Sequence, residues 1–225
     1  MGRMIGSSSI SFDKPPFIIE GASIVGQKEG DGPLGKLFDV VEQDPMLGQE
    51  TWEEAESLLQ KEAIQKLLFK AGMSKEEIRY IFGGDLLGQL IATTFGILEF
   101  EVPFFGLYGA CSTMGEALSL GAVMVEAGNA DNVIAMASSH FASAERQFRF
   151  PLAYGNQRPY AATWTVTGCG AVIISTKKGF AKITGITTGK IVDFGVKDAQ
   201  NMGACMAPAA ADVIYQHFKD FNSTP

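Results

Sequence analysis

Cys111 is the residue in this chain best placed to act as a nucleophile. It lies in Gly109-Ala110-Cys111-Ser112-Thr113, where a β-rich run from Val102 to Tyr108 turns into a helical pattern. Thr113 and Glu116 have capping-box spacing, which puts the first helical turn at or just after the cysteine. A thiol there meets the positive end of the helix dipole, which favours thiolate. A strand-to-helix elbow is also a recurring way to expose a nucleophile. The competing reading is an inert, small core residue.

Other groups could serve the same region. Asp85 follows Gly83-Gly84 at a strand end, either facing a site or capping the segment from Leu86. His140 follows the apolar run Asn132–Ser138, as a satisfied core residue or as a hydrogen-bond donor facing a ligand near Cys111. Of five arginines, Arg146, Arg149 and Arg158 share one short segment, and no Asp or Glu occurs between Arg146 and Asp193. In an acidic chain that is a local positive field suited to an anion. Arginine can hold a carboxylate through two hydrogen bonds, and Phe148, Phe150 and Tyr160 offer flat faces. A solvated basic loop, or pairing with acids such as Glu145, is the alternative.

The elements that must position these groups alternate. Phe17–Val25 is a strand. Gly26–Gly48 is a loop long enough to be functional or an interface. Thr51 and Glu54 form a capping box for a helix whose Ala55, Leu59, Ala63, Leu67 and Ala71 recur every four residues, ended by Gly72. Ser74 and Glu77 form a second box. Ile78–Phe82 is a strand and Leu86–Leu98 a helix. The helix after Cys111 runs to about Ala127, with charges only at Glu116 and Glu126, so it reads as buried all round. Asn132–Ser138 is a continuous apolar strand of the kind buried on both faces. This β, α, β, α order implies a mainly parallel sheet, with Asp85, Cys111 and His140 at the carboxyl ends where such sheets bind ligands. Ala144–Pro151 is irregular or a short helix, Thr163–Ile174 alternates as a strand, Ala181–Val192 is another strand, and Ala207–Phe221 is a last helix.

Composition excludes several classes. The 225 residues allow one large domain or two small ones, and 46% hydrophobic residues suffice for a core. A net charge of −7 argues against nucleic-acid partners. Three scattered cysteines make neither a disulfide framework nor a zinc pattern. Neither a signal peptide nor a membrane helix is read, so a soluble protein able to dock on a membrane partner is expected.

The chain's end repeats its beginning. Strand Phe17–Val25, loop and helix Thr51–Ala71 reappear as strand Ala181–Val192, loop and helix Ala207–Phe221. The simplest description is two copies of one α/β unit, the second cut after its first helix. From Phe17 onward the chain resembles the thiolase-like superfamily and, within it, a sporulation family. The resemblance rests on Asp31-Gly-Pro-Leu-Gly35, Gly109–Thr113, Ser138-Ser-His140, Ala144-Glu-Arg-Gln-Phe-Arg149, Tyr154-Gly-Asn-Gln-Arg-Pro159, Thr165-Val-Thr-Gly168 and Met206-Ala-Pro-Ala-Ala-Ala-Asp212.

The resemblance implies an α/β, thiolase-like α-β-α-β-α layered fold, of which the chain holds the N-terminal two-thirds. Residues 1–178 would be the first half, and 179–225 the start of a second half truncated after its first strand and helix. It also implies movement of dipicolinic acid, as its calcium chelate, into and out of the spore core. The protein would bind that ligand beside membrane channel subunits, peripheral to the spore inner membrane. Condensing enzymes of the superfamily use the matching cysteine as acyl carrier, helped by His or Asn from the second half. Two functions therefore compete: a non-enzymatic binding subunit, favoured by the arginines, and an acyltransferase or condensing enzyme using Cys111. The ligand-binding candidates are Asp85, Cys111, His140, Arg146 and Arg149, with no cofactor, no metal set, and self-association through an uncovered apolar face.

Overall fold

A computed structural model describes residues 2–148, 165–198 and 201–224. The strands are β1 (Arg3–Ile5), β2 (Ser9–Ser11), β3 (Phe17–Gly26), β4 (Val40–Glu42), β5 (Tyr80–Asp85), β6 (Phe104–Gly106), β7 (Asn132–Ser139), β8 (Gly168–Ser175), β9 (Ala181–Lys182) and β10 (Gly185–Thr187). The helices are α1 (Gln27–Gly30), α2 (Trp52–Ala71), α3 (Ile91–Ile97), α4 (Thr113–Glu126), α5 (Phe141–Phe148) and α6 (Met202–Phe221). They fall into two compact units, Pro16–Ala181, and Met1–Pro15 together with Lys182–Pro225.

In the larger unit the sheet order is β4-β3-β8-β7-β5-β6. β3 with β4, β5 with β6 and β5 with β7 are parallel. β8 runs antiparallel to both neighbours, β3 and β7, so the sheet is mixed where the order of elements had implied a mainly parallel one. Side chains alternate across a strand. Ile81, Ile134 and Ile173 join the core built on Leu59, Ala63, Ile64 and Leu67 of α2. On the other face, Gly121 of α4 sits over Phe82, Val133 and Ile174. A helix thus covers each face.

α2 forms as its capping residues require. Thr51 Oγ1 accepts from Glu54 N at 3.2 Å, Glu54 Oε2 accepts from Thr51 N at 3.0 Å, and Gly72 stops the helix in the left-handed region at φ 62°. The Ser74–Glu77 box is also present, on a single 3-10 turn. β5 reaches Asp85 and so includes Gly83 and Gly84, expected to follow it. The reason is close packing: a Cβ on Gly83 would come within 2.4 Å of Met136 O, and one on Gly84 within 2.0 Å of Leu107 O. α4 buries one face, Thr113, Ala117, Gly121, Ala122 and Val125, against the sheet. Its other face is apolar yet open, with Leu120 44% exposed, so the helix is not buried all round.

In the smaller unit β2 pairs antiparallel with β1 and β10. Asp220 of α6 ties the hairpin turn down by accepting from Ser7 N, Ser8 N and Ser9 Oγ. The strand expected over Ala181–Val192 is only the short pieces β9 and β10. α6 starts at Met202, five residues before the expected Ala207, because Asn201 caps it by accepting from Ala204 N at 3.1 Å.

Candidate functional site

The carboxyl ends of β5, β6 and β7 gather most of the residues in question. After β6 the chain makes a 3-10 turn, Ala110–Ser112, with Ala110 held at φ 49°. Positive φ in a non-glycine residue is strained, and such elbows occur at functional sites. Cys111 sits on this turn and is exposed. The cap differs from the expected one. Ser112 is the N-cap, its Oγ donating to Gly109 O at 2.8 Å and lying against the Glu116 carboxyl. Thr113 instead starts the helix with its side chain 1% exposed, and its Oγ1 has no partner among the described residues.

Asp85 is fully buried. Its Oδ1 accepts from Leu90 N at 3.2 Å; Oδ2 accepts from Thr93 N at 3.1 Å and Thr93 Oγ1 at 2.8 Å. Both oxygens are thus occupied within the protein, in the capping role. They hold a loop in which Gln89 and Leu90 have φ of 52° and 68°, so α3 begins at Ile91 and not at Leu86. The Leu90 side chain fills the space beside Gly84 and Gly106, on the strands leading into the elbow.

His140 is also fully buried. Nε2 lies 2.7 Å from Pro45 O and Nδ1 accepts from Ala142 N at 3.2 Å, which fixes the Nε2–H tautomer. The ring stacks on Phe141 and leans on Trp52, with centroids 5.1 and 5.2 Å away. Burial holds its pKa below the usual imidazole value. This is a satisfied, neutral core histidine. Arg146 lies on the backbone of α5, but its side chain, Arg149, Arg158 and Tyr160 fall outside the described residues.

Sequence reasoning did not find the polar network behind these residues. Asp85 and Ser138 are paired across β5 and β7. Gln60 Nε2 donates to Ser138 Oγ at 2.6 Å and to Thr93 Oγ1 at 3.1 Å, joining β7 to the Asp85 cap. Glu56, 1% exposed, has its oxygens 2.7 Å from Ser138 Oγ and 2.9 Å from Ser143 Oγ. Burial pushes the Glu56 carboxyl up to about 7, against the pull of the two serine hydroxyls and with a smaller push from the Asp85 charge. One signal was present: Glu56 and Gln60 sit one turn apart, next to the stripe Ala55, Leu59 and Ala63, on a face too apolar to be solvated.

A cavity of about 210 Å³ opens beyond β3, between Gly26, Lys28, Pro45, Phe141 and Thr167. Among the described residues no group of three or more His, Cys, Asp or Glu is placed to hold a metal ion. The arrangement offers an exposed thiol on a strained turn and, on the α2 side of the sheet, a buried and internally bonded polar network.

Residues 6–225 match the model of a family described as stage V sporulation protein AD. Stage V sporulation protein AD of Bacillus subtilis (strain 168) is 43% identical over 222 residues, 99% of this chain and 66% of that protein. The chain therefore spans 66% of the length of the curated relative it matches. A cerulenin-bound variant of Xanthomonas campestris OleA superposes with a TM-score of 0.58 at 13% identity, over 98% of this chain and 73% of that one. A second OleA variant gives 0.52 at 12% identity, over 99% and 74%. These likenesses establish the fold alone, and it is thiolase-like.

Proposed function

The chain belongs to the stage V sporulation protein AD family, and from that membership we propose that it is a non-enzymatic binding subunit for dipicolinic acid or its calcium chelate. It works in uptake and release across the spore inner membrane, peripheral to that membrane and docked on channel subunits of the same complex. The observation that carries this reading is the 43% identity to a stage V sporulation protein over 99% of the chain. No helix among the described residues is long and apolar enough to cross a membrane.

Dipicolinate is a planar ring with two carboxylates. A pocket for it needs cations or fixed donors at each carboxylate and an apolar wall. Arg146 and Arg149 are the proposed carboxylate partners. The α4 N-terminus behind Cys111 is an anion-friendly end. Asp85 and His140 were candidates for the same pocket; their polar atoms are already bonded within the protein, which leaves the arginines and the α4 N-terminus to meet the ligand.

The test is calorimetric titration with dipicolinate, with and without calcium, on a protein extended to the length of the Bacillus subtilis relative. Arg146→Ala or Arg149→Ala is expected to cost about 2–5 kcal/mol, tens- to thousands-fold in affinity, and Cys111→Ala much less. No binding, or arginine variants that bind as the parent does, would overturn the site.

The exposed Cys111 on its strained turn favours a second reading, acyl transfer with Cys111 as carrier. Under it, incubation with acyl-CoA leaves an acyl adduct on Cys111 detectable by mass spectrometry, and Cys111→Ala abolishes activity.

A further inference from the structure

The contacts of one hydroxyl reveal a device in α5. Ser143 Oγ lies 2.9 Å from Glu56 Oε2 and 3.1 Å from His140 O. A hydroxyl carries one proton, so Ser143 can donate to only one of these oxygens. Both contacts become hydrogen bonds if Glu56 is protonated: Glu56 Oε2–H donates to Ser143 Oγ, and Ser143 donates to His140 O. The other carboxyl oxygen accepts from Ser138 Oγ, which in turn accepts from Gln60 Nε2. The result is a continuous chain from Gln60 on α2, through the end of β7, to the first turn of α5. If Glu56 is ionised, Ser143 must abandon His140 O, and a charge stays buried with no cation beside it among the described residues.

We propose that Glu56 is a proton-operated latch that docks the first turn of α5 on α2 when neutral and releases it when ionised. Among the described residues the charges around it act in one direction. Asp85 on β5 and Glu53 on α2 both oppose its ionisation, and the neighbouring Cys169 on β8 is a buried neutral thiol. His140, ahead of α5, is neutral and bonded to Pro45 O. Thr93 of α3 and Ser138 of β7 contribute only neutral hydroxyls to the network.

The sign follows from linkage. The Glu56 carboxyl titrates higher when docked than the ordinary 4.5 of an exposed glutamate. Docking is therefore complete at acid pH and weakens as pH rises through about 7. The device does not depend on which ligand the protein binds.

Hydrogen–deuterium exchange on the full chain tests it, after correction for the intrinsic pH dependence of exchange. Opening of α5 amides, Ala144 N–H among them, is expected to rise roughly tenfold or more between about pH 5.5 and about pH 8.5, with α4 amides unchanged as the internal control. Glu56→Gln, whose amide can donate to Ser143 and accept from Ser138, is expected to stay protected at both pH values. Should that variant fail to fold, infrared spectroscopy of the parent settles the matter, through a neutral buried carboxyl band that disappears in step with α5 protection. Protection of α5 that is flat with pH, a Glu56→Gln variant that tracks the parent, or no titrating carboxyl band would overturn the latch.

Discussion

The three thiols occupy different surroundings. Cys111 and Cys205 are exposed, whereas Cys169 is 3% exposed within β8. Burial pushes the Cys169 thiol far above its usual range, with the nearby Glu56 charge adding to the effect. Iodoacetamide is therefore expected to label Cys111 and Cys205 in the folded protein, and Cys169 only after denaturation. Peptide mapping checks this; labelling of Cys169 at the rate of the other two would contradict it. Exposure does not separate Cys111 from Cys205, so ranking them needs the elbow itself. Residue identity showed where Asp85, Cys111 and His140 lie along the chain, because strand ends and turns are local features. It could not show which polar atoms were already bonded. Asp85 is satisfied by Leu90 and Thr93, five and eight residues further on, and His140 by Ala142, two residues on, and by Pro45, 95 residues away.

Among the elements, α2 and α4 form a contrast. α2 was legible in full, from its capping box to Gly72, because caps and four-residue spacing are written in the local sequence. α4 looked like a helix covered on all sides, since its sequence is apolar on every face, but only the face toward Phe82, Val133 and Ile174 is covered. Periodicity reports what a helix could bury, not what meets it. The difference has a measurable consequence. Leu67→Ala, at a fully buried position of α2, is expected to cost about 2–5 kcal/mol by urea unfolding. Leu120→Ala, 44% exposed on α4, is expected to cost well under half of that. Equal losses would mean that the open face of α4 is covered in solution. The strand over Ala181–Val192 and the direction of β8 were not legible, because pairing partners far apart in the chain decide both.

The molecule as a whole presents apolar surface on both of its units. In the larger one Leu120 and Phe105 are open; in the smaller one α6 has no buried residue and exposes Met202, Met206, Ile214 and Tyr215. Exposed apolar patches of this kind mark interaction surfaces. The chain on its own is expected to bind a hydrophobic dye and to self-associate in light scattering; a monodisperse monomer that ignores the dye would contradict this.

The position of β8 also bears on how the chain is made. This strand lies between β3 and β7, yet it is the last of the three to be synthesised. Until Ser175 has left the ribosome, no strand ladder among the described residues joins β3 and β4 to the β5–β7 group, although α2 packs against both. Closing the gap joins residues as distant as Phe17 and Ser175 in one step. Contacts of that span slow folding and prolong the life of unpaired strand edges. The sheet of the larger unit therefore cannot close until nearly all of that unit has been translated.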